Sequence, residues 1–251
     1  MLIINRNDWD EFDGQRFGVG TDLREFGTYA QAELDALALI IAQLPADGVV
    51  LDVGANLGVH SLWFSQLVGP RGRVLAFEAQ RIVFQMLMGN LALNSIENVY
   101  ARNVAVGADI GSMRMPVLDY GSRRNFGGLE LSLHSASTSL DKTVSEIVEV
   151  VTLDSLALEQ VDFIKIDVEG MEQDVLAGAR DTLARHRPFL QAEWLGRDAG
   201  ALPRALLGEY GYRVFQYGMN LLCLPAEQTR ITLAGLPEIT LDMLAQAHAN
   251  S

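Results

Sequence analysis

The chain reads as an α/β domain on a mostly parallel sheet that closes with an antiparallel hairpin, and three observations predict it. The apolar run at residues 49–58, VVLDVGANLG, has strand length and ends in Asp-x-Gly-x-x-x-Gly, a strand turning tightly into a helix. Further apolar runs of strand length alternate with helix-length amphipathic segments, at the spacing of βαβ units. Near the end, GYRVFQY and NLLCLP are separated only by Gly218 and Met219, as the arms of an edge hairpin are.

In chain order, residues 1–27 form an irregular lead-in in which Trp9, Phe12, Phe17 and Phe26 lie among acids and glycines, able to cover a pocket or to meet a second subunit in a homodimer. Residues 29–44 predict a helix with Leu34, Leu37, Ile40, Ile41 and Leu44 on one face, ended by Pro45, Asp47 and Gly48. Strand one covers 49–53, and a helix runs to about 68. The turn GPRG leads to strand two at 73–77, a helix over 81–94 and a third strand near 99–104. Residues 112–117 and 147–152 are extended. VDFIKID, 161–167, is a buried strand followed by one amphipathic helix through about 185, and PFLQAEW, 188–194, is another strand. The organisation is therefore a lead-in and helix at 1–45, a main domain at 46–225 with a flap at about 119–140, and an extension at 226–251 with a short helix near 241–249.

Composition narrows the partners. A net charge of −13 with a pI near 4.7 disfavours nucleic acid and anionic membrane surfaces, both of which call for clustered positive charge. The single cysteine, Cys223, excludes an internal disulfide and lies in an apolar run, so it reads as a buried small hydrophobe in a cytoplasmic redox setting. Asn5 and Arg6 interrupt the apolar N-terminus, against a signal peptide, and the longest apolar stretches are too short to span a membrane.

The glycine turn carries chemistry. A strand ending at Gly54 exposes backbone N–H groups and lets a ligand approach the chain. The dinucleotide fingerprint needs glycines where Asn56 and Val59 stand, which disfavours a pyrophosphate. Asp52 adds a carboxylate suited to an ammonium group, a combination that favours S-adenosylmethionine. Glu78, after strand two, suits two ribose hydroxyls, although dinucleotide enzymes use the same device.

Ligands of open α/β sheets bind outside the carboxyl ends of the strands. Asp52, Glu78, Asn103, Asp167 and Glu193 all fall at or just past such ends. Asn103 suits a turn or cap equally well. In KIDVEGMEQDVLAGA, Asp167 ends a strand, Glu169 and Gly170 form a turn, and Glu172 enters a helix whose N-terminus it suits electrostatically. Asp167, Glu169 and Glu172 could hold a divalent cation, but their spacing is no recognised metal motif and metal is not the favoured reading. Neither zinc spacing of Cys and His nor a G-x-S-x-G nucleophile elbow is present.

LDVGANLGVHS, VTLDSL and above all DFIKIDVEGMEQDVLAGA, continuing through PFLQAEW and GYRVF, resemble the FkbM-type class I methyltransferases over roughly residues 28–224. The resemblance implies a Rossmann-like fold with a seven-stranded sheet. It implies methyl transfer from S-adenosylmethionine, usually to a hydroxyl of a small molecule, natural product or sugar. Carried over by motif, Asp52, Gly54, Asn56 and Gly58, with Ala55 between them, line the methionine end. Glu78 holds the ribose, Asn103, Val104 and Ala105 lie near the adenine, and Asp167 faces the sulfonium. Ser61 caps the turn or contacts the cofactor carboxylate. His60 stands where the family often has an aromatic residue, and it either packs there or touches a ligand.

An alcohol acceptor must lose a proton, and Glu169, Glu193 and His134 are the candidate bases, in that order. His134 lies in the flap, where Arg123, Arg124, Asn125, Gly127 and Gly128 could meet an anionic or sugar-like acceptor. Transfer to an amine or carboxylate, or a non-catalytic cofactor-binding partner protein, are the alternatives. After the Asp167 strand the chain lacks the Asn/Asp-Pro-Pro-aromatic turn of enzymes that methylate base amino groups, a second reason to set nucleic acid aside.

Overall fold

Alternation within the strands builds the core. In β3 (Val49–Val53), Val49, Leu51 and Val53 point into one hydrophobic layer and Val50 into the other. β9 (Phe163–Ile166) repeats this, with Ile164 and Ile166 on the first side and Phe163 on the second. Strands buried on both faces need helices on both faces. A computed structural model describes residues 4, 7–27, 29–128, 144–196, 198, 200–228, 231, 233 and 235–249.

α2 (Gln31–Ile41), α3 (Val59–Val68) and α4 (Arg81–Leu93) cover one face through Leu37, Ile40, Phe64, Leu87 and Leu91. α5 (Glu172–Ala177), α6 (Arg180–His186) and α7 (Ala201–Gly208) cover the other through Val175, Leu176, Leu183, Leu202 and Leu206. α8 (Leu241–Ala249) joins that layer through Leu244, at the position expected for a C-terminal helix.

The main sheet runs β13-β11-β12-β10-β9-β3-β4-β5. β4 (Arg73–Phe77), β5 (Val99–Arg102), β3, β9 and β10 (Phe189–Glu193) are parallel, while β11 (Tyr212–Tyr217) and β12 (Asn220–Pro225) form the antiparallel hairpin. Tyr217 pairs Asn220 across Gly218 and Met219. Seven of these strands are the expected ones. The eighth, β13 (Glu238–Ile239), is a two-residue addition on β11, too short to show a period in sequence.

Three other expectations change. The third strand stops at Arg102, and β6 (Ala105–Val106) leaves it for a separate sheet with β8 (Ser145–Val151) and β7 (Gly111–Pro116). The helix after Asp167 is broken in two because Asp154 caps the second half, accepting from the N–H groups of Asp181 (3.1 Å) and Thr182 (2.8 Å), while its own N–H donates to Gly178 O. The lead-in is ordered as a hairpin, β1 (Asp10–Phe12) with β2 (Gln15–Phe17), followed by α1 (Val19–Glu25).

That N-terminal unit is clasped to residues 118–128. Trp9 N–H donates to Arg124 O, Arg124 N–H donates to Asn7 O, and the buried Asp8 carboxylate accepts the Phe126 N–H at 3.1 Å. The guanidinium carbons of Arg16 and Arg123 both lie over the Trp9 ring, at 4.3 and 4.6 Å from its centroid. Cys223 is buried as expected, and burial pushes its thiol pKa up. Among the described residues no helix is long and apolar enough to cross a membrane.

Candidate active site

The first turn of the site follows from the glycine at the end of β3. Gly54 has φ +83°, and a Cβ on it would sit 1.7 Å from Asp167 O, so only glycine lets the β3 and β9 ends approach this closely. Gly58, φ +95°, is confined less tightly, a Cβ there meeting the Leu87 Cδ1 methyl at 2.5 Å. Asn56 adopts φ 51° and donates its backbone N–H to Glu78 Oε2 at 2.9 Å.

Glu78 is fixed on both oxygens, since its Oε1 accepts the Gln80 N–H at 2.7 Å. Burial outweighs these two hydrogen bonds and pushes its pKa up to about 7. Asn103 donates its amide to the carbonyls of Glu78 and Ala79, at 2.8 and 3.0 Å, which is the turn-forming role rather than a wall position.

The cleft at the carboxyl edge of the sheet holds about 900 Å³, counted to its open mouth. Of the residues expected to bind cofactor, Gly54, Asn56, Glu78, Val104, Ala105 and Asp167 line it, together with the expected bases Glu169 and Glu193. Asp52, Ala55, Gly58, Ser61 and Asn103 stand behind the wall. His134 lies outside the described residues. From the flap, Asn125, Gly127 and Gly128 reach the wall, whereas Arg123 is engaged on Trp9 and Arg124 belongs to the clasp.

Asp52 requires a correction: its side chain is 0% exposed and does not reach the cleft. One oxygen accepts the Ser61 hydroxyl at 2.6 Å and the other faces Lys165 Nζ at 3.5 Å. Lys165, also buried, reaches on to Asp167 Oδ2 at 3.1 Å and Gly54 O at 3.4 Å. Burial alone would lower the Lys165 pKa, but Asp167 and Asp52 outweigh it and hold the ammonium charged. Register aligns Asp52, Lys165 and Gln191 as a polar row across three strands, and Glu33 of α2 closes it. Glu33 accepts from His60 (3.0 Å), Gln191 (2.5 Å) and Asn220 (3.1 Å). His60 therefore packs in the first turn of α3 and does not line the cleft.

At the opposite lip, the turn after β9 puts Glu169 at φ 52°, a left-handed conformation uncommon for a side-chain-bearing residue. Glu172 stabilises that turn, its Oε1 accepting the N–H groups of Val168 and Gly170, both at 3.2 Å. The carboxylates that converge are Asp167, Glu169 and Glu193, with ligand atoms within 4.8 Å of one another, so Glu193 takes the place in the cluster that Glu172 was expected to hold. Burial first, and then repulsion from Asp167, Glu169 and Glu172, raises Glu193 to about 8.

Sequence reading missed Gly18 and Val19 of the lead-in, and Tyr29 at the start of the expected helix, all of which line the cleft. It also missed Lys165, whose signal was present: a lysine between Ile164 and Ile166 in a fully buried strand must have partners.

A glycine turn after the first main-sheet strand, a carboxylate after the second, and a parallel sheet ending in an antiparallel hairpin define a Rossmann-like class I methyltransferase fold. The methyltransferase FkbM domain matches residues 52–214, and the chain belongs to that family. It is 31% identical over 207 residues to the AMB antimetabolite synthetase AmbE of Pseudomonas aeruginosa, covering 68% of this chain and 10% of the relative. It is 25% identical over 155 residues to the hexuronic acid methyltransferase AglP of Haloferax volcanii, covering 61% of this chain and 59% of that one. The crystal structure of methyltransferase FkbM from Methylobacillus flagellatus KT superposes with a TM-score of 0.51 at 19% identity, covering 73% of this chain and 47% of that chain. In each case the chain spans less than two thirds of the protein it matches.

Proposed function

We propose that this protein is an S-adenosylmethionine-dependent O-methyltransferase acting on a hydroxyl of a small molecule or a sugar. One observation carries the reading: every charged side chain on the described wall is a carboxylate, Glu78, Asp167, Glu169 or Glu193. A pyrophosphate would find no cation there to offset its charge, whereas a ribose diol and a positive sulfur meet hydrogen-bond acceptors and opposite charge.

The chain's own residues fit that cofactor. Glu78 keeps free lone pairs for two ribose hydroxyls after accepting from Asn56 and Gln80. Val104, Ala105 and Val106 offer apolar surface to a base. Gly54 lets the methionine end approach with no side chain in the way, its N–H being taken by Phe77 O, and Asp167 faces the sulfonium region with Lys165 behind it. Asp52 and Ser61 act from behind, by holding Lys165 and the turn.

S-adenosylmethionine supplies a methyl already activated by positive sulfur, so orientation in line with the acceptor gives much of the rate. With the cofactor held there, Glu169 or Glu193 would take the proton that the acceptor hydroxyl gives up on methylation. A hexuronic acid and an antimetabolite, named in two relatives, agree with a carbohydrate or small-molecule acceptor. The acidic balance argues against nucleic acid and anionic membranes, and the single cysteine suits the cytoplasm.

Calorimetric titration with S-adenosylmethionine and S-adenosylhomocysteine tests the cofactor: binding lost in Glu78→Ala is expected, and no binding to the wild type would sink the reading. With hydroxylated acceptors, Glu169→Gln should slow turnover and spare cofactor affinity. Function untouched by that change would leave a binding protein instead.

A further inference from the structure

Four contacts fix the first turn of α2, and that turn delivers one phenol to the cleft. Glu33 is tied to α3, β10 and β12 through His60, Gln191 and Asn220, and the Tyr217 hydroxyl donates to Ala32 O at 2.9 Å. Ala30 takes a left-handed φ of 52° to start the helix, a conformation that alanine adopts at a cost. Tyr29, immediately before it, stands edge-on to the His60 ring, 6.5 Å between centroids at 85°, and lines the cleft. Its hydroxyl has no hydrogen-bond partner among the described residues.

The position of that hydroxyl has a chemical meaning. Burial first and then the Asp167 charge raise the phenol pKa, with Lys165 and Glu33 also within electrostatic reach, so the group stays protonated and is available as a donor. The ring contact with His60, two residues after Gly58, puts Tyr29 at the glycine-turn end of the cleft. The described wall carries no Lys, Arg or His, so an anionic group bound at this end must be received by neutral donors.

We propose that the Tyr29 hydroxyl donates a hydrogen bond to the carboxylate at the methionine end of the cofactor, a specificity-determining contact delivered from outside the family-matching residues 52–214. The inference rests on the S-adenosylmethionine reading above.

Calorimetric titration of wild type and Tyr29→Phe with S-adenosylmethionine, S-adenosylhomocysteine and 5′-methylthioadenosine tests it. The first two probes share the carboxylate and differ in sulfur charge, and the third lacks the amino-acid end. Loss of one neutral-to-charged hydrogen bond should weaken the first two equally, by roughly 10- to 100-fold, and leave methylthioadenosine unchanged. Unchanged methylthioadenosine binding also shows an intact pocket. Weakening confined to S-adenosylmethionine would move the contact to the methyl group and overturn the proposal. Equal weakening of all three probes, or of none, would overturn it as well. Wild-type protein that binds no probe would instead refute the cofactor reading, and the Tyr29 inference with it.

Discussion

The Lys165 ammonium lies 3.1 Å from the Asp167 carboxylate and approaches it from beneath the wall, so the cleft's central acid is held by a buried cation. Because Lys165 also faces the fully buried Asp52, its removal leaves that carboxylate buried without its cation. Lys165→Met should lose about 3–5 kcal/mol of unfolding free energy, the scale of breaking a buried ion pair from one side. Adding Asp52→Asn should recover part of it. Urea unfolding of the single and double variants checks this, and strictly additive losses would refute the coupling.

Gly54→Ala should destabilise more than its size suggests. The new methyl meets Asp167 O within covalent range, and φ +83° disfavours any side chain. Left-handed strain and overpacking together should cost about 2–5 kcal/mol. Thermal unfolding measures the loss, and a melting point within a degree of wild type would contradict the close approach of β3 to β9.

These residues also mark what the sequence made legible. Gly54, Glu78 and Glu193 declared themselves because strand ends follow from local periodicity, and an α/β sheet puts its ligand at those ends. Asp52 belongs to the same motif, yet its partner is 113 positions away on β9, and only strand register reveals that the two face each other. The clasp is more remote still: Asp8 accepts the Phe126 N–H across 118 positions, and neither segment has a period that announces the other. Tyr29 was therefore grouped with a helix start when it is a wall residue.

Glu172 acts on the site through the backbone it holds. Without its carboxylate, the Val168 and Gly170 N–H groups lose their acceptor, and the turn that carries the left-handed Glu169 loses both bonds. Glu172→Ala should lower kcat on the order of tenfold, since a displacement of about 1 Å can cost up to a hundredfold. S-adenosylmethionine affinity should change little. An affinity loss as large as the kcat loss would place Glu172 in cofactor binding instead.

Chelation should leave turnover intact, although Asp167, Glu169 and Glu193 gather within 4.8 Å. Like charges so close need a neutralising partner, and two are at hand: Lys165 on Asp167, and the proton retained by Glu193 up to about pH 8. Activity measured after dialysis against EDTA should match that of the untreated protein. Loss on chelation, restored by Mg²⁺ or Mn²⁺, would make the cluster a metal site.

Glu193 should set the pH dependence of both rate and stability. As a base it works only when ionised, so kcat/KM for the acceptor should climb with pH through about 8, and Glu193→Gln should remove that limb. The stability effect has the opposite sign. A carboxyl whose folded pKa is raised above its ordinary 4.5 holds its proton more tightly when folded, so its contribution is full below 4.5 and is lost as pH rises to about 8. Glu193→Gln stays neutral throughout and escapes that loss. Relative to wild type, its melting temperature should be nearly unchanged at pH 4.5, higher at pH 7 and highest above pH 8. A difference that stays flat across this range would mean that Glu193 is ionised in the folded protein at neutral pH, and a rate limb near pH 8 would then belong to another group.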